Sequence, residues 1–249
     1  MADVPPVSLT TISETDYFSF LIHLANKQNF SVALWKLPND PTKHLILSKQ
    51  PEVLKSTDLL EELSTGFIFA PFNALADRLF LKADFSFSFS DGSLDSPMTP
   101  LEVLSNSWLN KLIVPDEMAN EKPELYFNRE SKSITTDKDF FCDLVSKSID
   151  AIHSGSFEKV VLSRTLSIGL SEDFDVARAF QKLCDQYTNA LISFVSIPEA
   201  GSWLGASPEL LVSVEGKTTF RTTALAGTLP YQEGTNLKTV AWTQKDIEE

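Results

Sequence analysis

Apolar and polar residues alternate in short bursts through the first half of the chain, as half-buried strands require. Phe30–Leu37 (FSVALWKL), Lys43–Lys49 (KHLILSK) and Phe67–Phe72 (FIFAPF) are β-type runs bounded by Pro, Asn and Asp. Leu79–Phe89 (LFLKADFSFSF) continues the alternation, so it is predicted to be a strand with Phe85, Phe87 and Phe89 on one face. Asp91–Pro100 reads as a loop and Leu101–Ile113 as a helix, and the polar, Pro-flanked Val114–Pro123 is the best candidate linker.

The period changes in the second half. Thr136 with Asp139 resembles a capping box, Gly155 is a suitable stop, and Phe141, Leu144, Val145, Ile149 and Ile152 follow helical spacing between them. Lys159–Ile168 (KVVLSRTLSI) is predicted to be a strand. A second helix follows, with Val176, Ala179, Phe180, Leu183 and Tyr187 on one side. Ala190–Ile197 is another strand, and Glu209–Val214 and Thr218–Thr223 flank a hairpin turn at Glu215-Gly216. From about Leu237 the pattern turns helical and stops at Glu249 without a cap, which suggests a cut chain. Antiparallel-type strands mixed with amphipathic helices give an α+β class. No repeat or low-complexity tract is present. The expected organisation is one domain over 1–249, with a strand-rich part (1–125) and a second part (126–249) that holds the residues of chemical interest.

Composition narrows this little. A 43% hydrophobic and 22% charged chain is ordinary for a soluble globular protein. No apolar run approaches the roughly 20 residues of a membrane span, and Met1–Ser13 does not read as a signal peptide. The two cysteines, Cys142 and Cys184, read as small buried side chains on helices, which fits a reducing cytoplasm. The formal charge of −13 argues against non-specific nucleic-acid binding but leaves a small anionic ligand open. Oligomeric state is not legible.

Four features invite a chemical reading, each beside a plain one. Lys159 opens an apolar strand, so it either caps the strand at a solvent edge or is a partly desolvated amine able to act as a general base. Glu209 lies between Pro208 and Leu210-Leu211-Val212. It is either an ordinary strand-edge carboxylate or a buried, protonated general acid. Thr223–Thr228 (TALAGT) is either a simple turn or a place where Gly227 lets backbone N–H groups approach an anion. Lys245–Glu249 (KDIEE) is either a solvated helix face or, through Glu249, an oxygen ligand for a hard cation such as Mg²⁺. The histidines at 23, 44 and 153 show no metal-ligand spacing, and no Walker-type or dinucleotide glycine motif occurs.

In this order, Phe157–Arg164 (FEKVVLSR), Gly201–Leu211 (GSWLGASPELL), Thr223–Thr228 and Lys245–Glu249 resemble the chorismate-utilising enzymes, over roughly Thr136 to Glu249. The resemblance implies an α/β sandwich with large antiparallel sheets and chorismate as the small-molecule substrate. It puts Lys159 where the isochorismate and salicylate synthases keep the lysine that activates water, and Glu209 where a general acid protonates the departing 4-hydroxyl. Ala226, Gly227 and Thr228 match the substrate-site loop, and Glu249 the first of two glutamates holding Mg²⁺. Anthranilate and aminodeoxychorismate synthases typically lack a lysine matching Lys159, and the latter tend to carry lysine at the place of Ala226. Isochorismate synthase is therefore expected, serving menaquinone or siderophore synthesis; salicylate synthase and a non-catalytic chorismate-binding fragment are the alternatives. The second metal glutamate and a carboxylate-gripping arginine would lie past Glu249, so the 249 residues alone are expected not to turn chorismate over.

Overall fold

The structure, a computed structural model, describes residues 13–55, 58–73, 76–90, 92–95, 125–127, 136–198, 200–208, 212–215 and 219–222, with single positions at 234, 236, 239, 241 and 244. In chain order the elements are α1 (Glu14–Lys27), β1 (Ser31–Lys36), β2 (Lys43–Ser48), β3 (Glu52–Leu54), a 3-10 turn at Leu60–Glu62, β4 (Gly66–Phe69), β5 (Arg78–Lys82), β6 (Phe85–Ser90) and β7 (Ser93–Asp95). After these come α2 (Lys138–His153), α3 (Val176–Gln186), β8 (Leu191–Ile197), β9 (Gly201–Ser207), β10 (Ser213–Glu215) and β11 (Thr219–Arg221). Helices are mixed with sheets in which every described pairing is antiparallel, as the α+β reading expects.

The frame is a six-stranded sheet in the order β7-β6-β2-β1-β8-β9. One face packs against α1 and α3. Val32, Leu34, Leu45, Leu47, Phe85, Phe87, Phe89, Ile192 and Phe194 meet Phe18, Leu21, Ile22 and Phe180 there. Phe18 is the hub, its ring edge-on to Phe89 at 4.8 Å and to Phe180 at 6.0 Å, the arrangement ring quadrupoles favour. The opposite face carries Ala33, Ile46, Val195 and Ile197, covered by Leu81 and its neighbours from a three-stranded sheet, β3-β5-β4. β1 is consequently buried on both sides, while β6 alternates buried and half-buried positions. Pairing of β1 with β8 (Val32↔Ser196, Leu34↔Phe194) joins strands from the two sequence halves into one sheet.

α1 was not expected from the pattern, yet its signals are present. The Ser13 side chain accepts the Asp16 N–H at the N-terminus, and Glu14 and Asp16 sit where the helix dipole favours acids. At the other end Asn29 takes φ 57°, with Phe30 N–H bonded to Ala25 O and Asn29 N–H to Asn26 O, a Schellman stop. α2 starts at Asp137, whose side chain accepts the Phe140 N–H, rather than at Thr136. Gly155 ends that region with φ 75°.

Three expectations are corrected. Leu79–Phe89 is two strands in different sheets, because the chain turns at Ala83-Asp84, where Asp84 accepts the Lys49 N–H at 2.8 Å. Lys159–Ile168 forms no strand: no described edge lies beside it, and Val161 (84%), Leu166 (62%) and Ile168 (73%) stand in solvent. Cys142 is exposed on α2, whereas Cys184 is buried on α3 as expected. The predicted loop, helix and linker over 91–123 fall almost entirely outside the described residues, as does the helical start near Leu237.

Two outcomes follow from this core. Phe18→Ala removes the ring shared by both helices and the sheet, and should cost about 3–5 kcal/mol, read as a lowered urea midpoint at unchanged slope. Burial pushes the Tyr17 phenol from 10.0 to about 12. The folded state thus holds that proton more tightly than the unfolded state, so the contribution is whole below pH 10 and is lost as pH rises through 12. Tyr17→Phe should lack that part of the alkaline decline in denaturant titrations across this window.

Candidate functional site

The sheet presents the first motif-bearing strand at its edge. β9 leaves a turn at Gly201, whose φ of 84° only glycine adopts readily, and pairs with β8 from Ile197↔Gly201 to Leu191↔Ser207. Ser202 and Ser196 share a hydroxyl hydrogen bond of 2.8 Å across the pair. Trp203 donates its Nε1–H to Ala200 O at 2.9 Å and rests against the Phe69 ring at 5.7 Å, so the indole leans over the three-stranded sheet. Burial falls along β9, from buried Gly201 to exposed Gly205–Pro208. Beyond it, β10 and β11 pair with Val214 opposite Phe220, as the hairpin reading predicted.

Lys159 is the one predicted site residue among the described positions. It lies in the extended segment that follows α2, and it is exposed, where the sequence left open either a solvent edge or partial desolvation. That segment runs back along the helix: Thr136 N–H donates to Thr165 O at 3.2 Å, and the Arg164 guanidinium lies 5.8 Å from the centre of the Phe141 ring. α2 has no buried residue. Its apolar stripe and the apolar positions of the segment are half-covered at best. Glu209, Ala226, Gly227, Thr228 and Glu249 lie outside the described residues.

No group of three or more His, Cys, Asp or Glu among the described residues is placed to hold a metal ion. No described helix is long and apolar enough to cross a membrane. Among the described residues the buried cations are two lysines that sequence reasoning passed over, Lys36 and Lys43. Their signal was present: each sits at the inner end of an apolar strand, flanking one loop, where a lysine cannot escape burial unless its strand ends sooner.

Residues 94–242 match the family described as chorismate binding enzyme. Among solved structures, the chain is similar to MenF, the menaquinone-specific isochorismate synthase from Escherichia coli, at 16% identity and a TM-score of 0.47. That similarity covers 77% of this chain and 47% of MenF, so the chain spans about half the length of that enzyme. No curated protein matches it in sequence.

Segment 157–170 supplies a test in solution. Without a strand partner among the described residues, the Val160, Val161, Leu166 and Ile168 amides should exchange with deuterium far faster than those of β1 and β8, which are held in ladders on both sides. Protection of the four equal to that of β1 would mean that the segment is paired after all.

Proposed function

The chain belongs to the chorismate-binding enzyme family, and from that premise we propose that it carries the first part of an isochorismate synthase. The observation that carries the reading is Lys159 within Phe157–Arg164, ahead of Gly201–Leu211, Thr223–Thr228 and Lys245–Glu249 in family order.

The reaction adds the oxygen of water at C2 of chorismate while the hydroxyl at C4 departs and the ring double bonds shift. Water is a poor nucleophile and hydroxide a poor leaving group, so each needs a proton moved. Lys159 takes the proton from the attacking water and Glu209 gives one to the departing hydroxyl; each positioned group contributes about a hundredfold or more. The base role asks for an amine shielded from water. Exposed Val160 and Val161, next to Lys159, are the surface whose covering would shield it. The backbone at Ala226, Gly227 and Thr228 would contact the substrate, glycine allowing the close approach.

Magnesium belongs to the proposal through Glu249, where it would neutralise the substrate carboxylate. Mg²⁺ takes about six oxygen ligands, so one carboxylate is not a site, and the described residues contribute no cluster to complete it. No step is therefore assigned to it.

The deciding experiment incubates the protein, with whatever residues its gene encodes past 249, with chorismate and Mg²⁺ and resolves the products. Isochorismate is expected. Salicylate with pyruvate would move the protein to the salicylate synthases, which share Lys159, and unchanged chorismate would leave a binding protein. Lys159→Ala should lower turnover about a hundredfold or more with chorismate binding retained. Turnover near that of the parent would remove Lys159 from the role of base. Chelation by EDTA should abolish activity, and added Mg²⁺ should restore it.

A further inference from the structure

A cavity of about 590 Å³ opens between the loop joining β1 to β2 and the C-terminal end of α3. That volume is within the range of small-molecule sites. None of its lining residues belongs to the motifs discussed above.

Lys36 and Lys43 line it from directly opposite positions across the hairpin, and they are only 4% and 8% exposed. Like charges facing each other in a sheet repel, and burial makes each more demanding of partners. Lys36 is served in full. Its Nζ donates to Leu37 O and Thr188 O at 3.0 Å each and to Ala190 O at 3.5 Å, which uses its three donors. Lys43 donates to Glu14 Oε2 at 2.7 Å and has no other partner among the described residues. An ammonium has three protons, so donors remain on a nearly buried cation that lines the cavity. Cys184 lines it as well; burial pushes its thiol to about 11, so it brings no charge at neutral pH.

The outer lining has the opposite sign. Asp40 belongs to the loop, and its carboxylate accepts the Thr42 N–H at 2.8 Å, which holds it below the usual carboxylate range. Asp185 stands in the last turn of α3 and accepts from Gln181 Nε2 at 2.8 Å. That turn has no basic residue, although the carbonyl end of a helix favours one.

We propose that this cavity binds a small zwitterion, with its carboxylate inward on Lys43 and its ammonium outward between Asp40 and Asp185. A simple anion would have to pass the two outer carboxylates, and a simple cation would sit above two buried ammonium groups with one carboxylate, Glu14, between them. A molecule with both charges, separated by a short carbon chain, meets each layer with the sign it lacks. Bound there, it would tie the hairpin loop to α3, where Asn39 N–H already donates to Thr188 O at 2.8 Å.

The test titrates the purified protein with glycine, γ-aminobutyrate and 6-aminohexanoate by calorimetry, and follows its melting temperature. At least one should bind saturably and raise the melting temperature. Its two half-molecules, the matching carboxylic acid and the matching amine, should bind at least tenfold more weakly. Asp40→Asn with Asp185→Asn, on a half-buried and an exposed side chain, should erase the preference for the zwitterion over the acid, and Lys43→Met should remove binding. If Lys43→Met fails to fold, the double variant carries the test alone. No saturable binding by any of the three, equal binding of the acid, or an unchanged preference in the double variant would overturn the proposal.

Discussion

Burial of β1 on both faces is the constraint from which the rest of the structure is built. Val32 and Leu34 point into the core under the helices, and Ala33 into the core under the three-stranded sheet. A strand covered on both sides has no solvent face on which to place a polar residue, and it must hydrogen-bond along both edges. β2 and β8 supply those edges. β8 then holds β9, and β9 sets Trp203. The position of the first motif strand is thus inherited from a strand about 170 residues earlier in the chain, through two ladders.

The family match covers two regions of different physical character. From α3 to β9 the chain is packed into the sheet, with Phe180, Phe194 and Ile192 buried. From α2 to residue 170 it is laid on the outside, with apolar side chains in water. Lys159 sits in the second region. Its neighbours Val160, Val161 and Leu162 have the composition of a strand, but a strand is a property of a pair of chain segments. Local preference for the extended form is satisfied there, and no strand pairing is made with the described residues.

This separates what the sequence could reveal from what it could not. The Phe85–Phe87–Phe89 stripe was legible, because alternation on a strand with one buried face is a local signal. Four of the six strands in the main sheet fall on runs visible in the pattern. The break after Lys82 was not legible: Leu79, Leu81, Phe85 and Phe89 all occupy odd positions, so the alternation passes unbroken through a turn. Leu81 nevertheless enters one core and Phe85 the other. α1 was overlooked although Ser13 and the spacing of Phe18, Leu21, Ile22 and Ala25 announce it. Of the site, residue types and order were legible. Exposure of Lys159 was not, since it depends on which segment covers it.

The β1–β8 ladder also sets an order of events on the ribosome. Residue 32 leaves the exit tunnel long before residue 196, its partner. At about 5–20 residues per second that interval is roughly ten to thirty seconds. Through it the nascent hairpin of β1 and β2 carries one open, apolar edge of the kind that recruits stray strands. A chaperone that shields that edge until β8 emerges would therefore raise the yield of native protein more than one that acts after release.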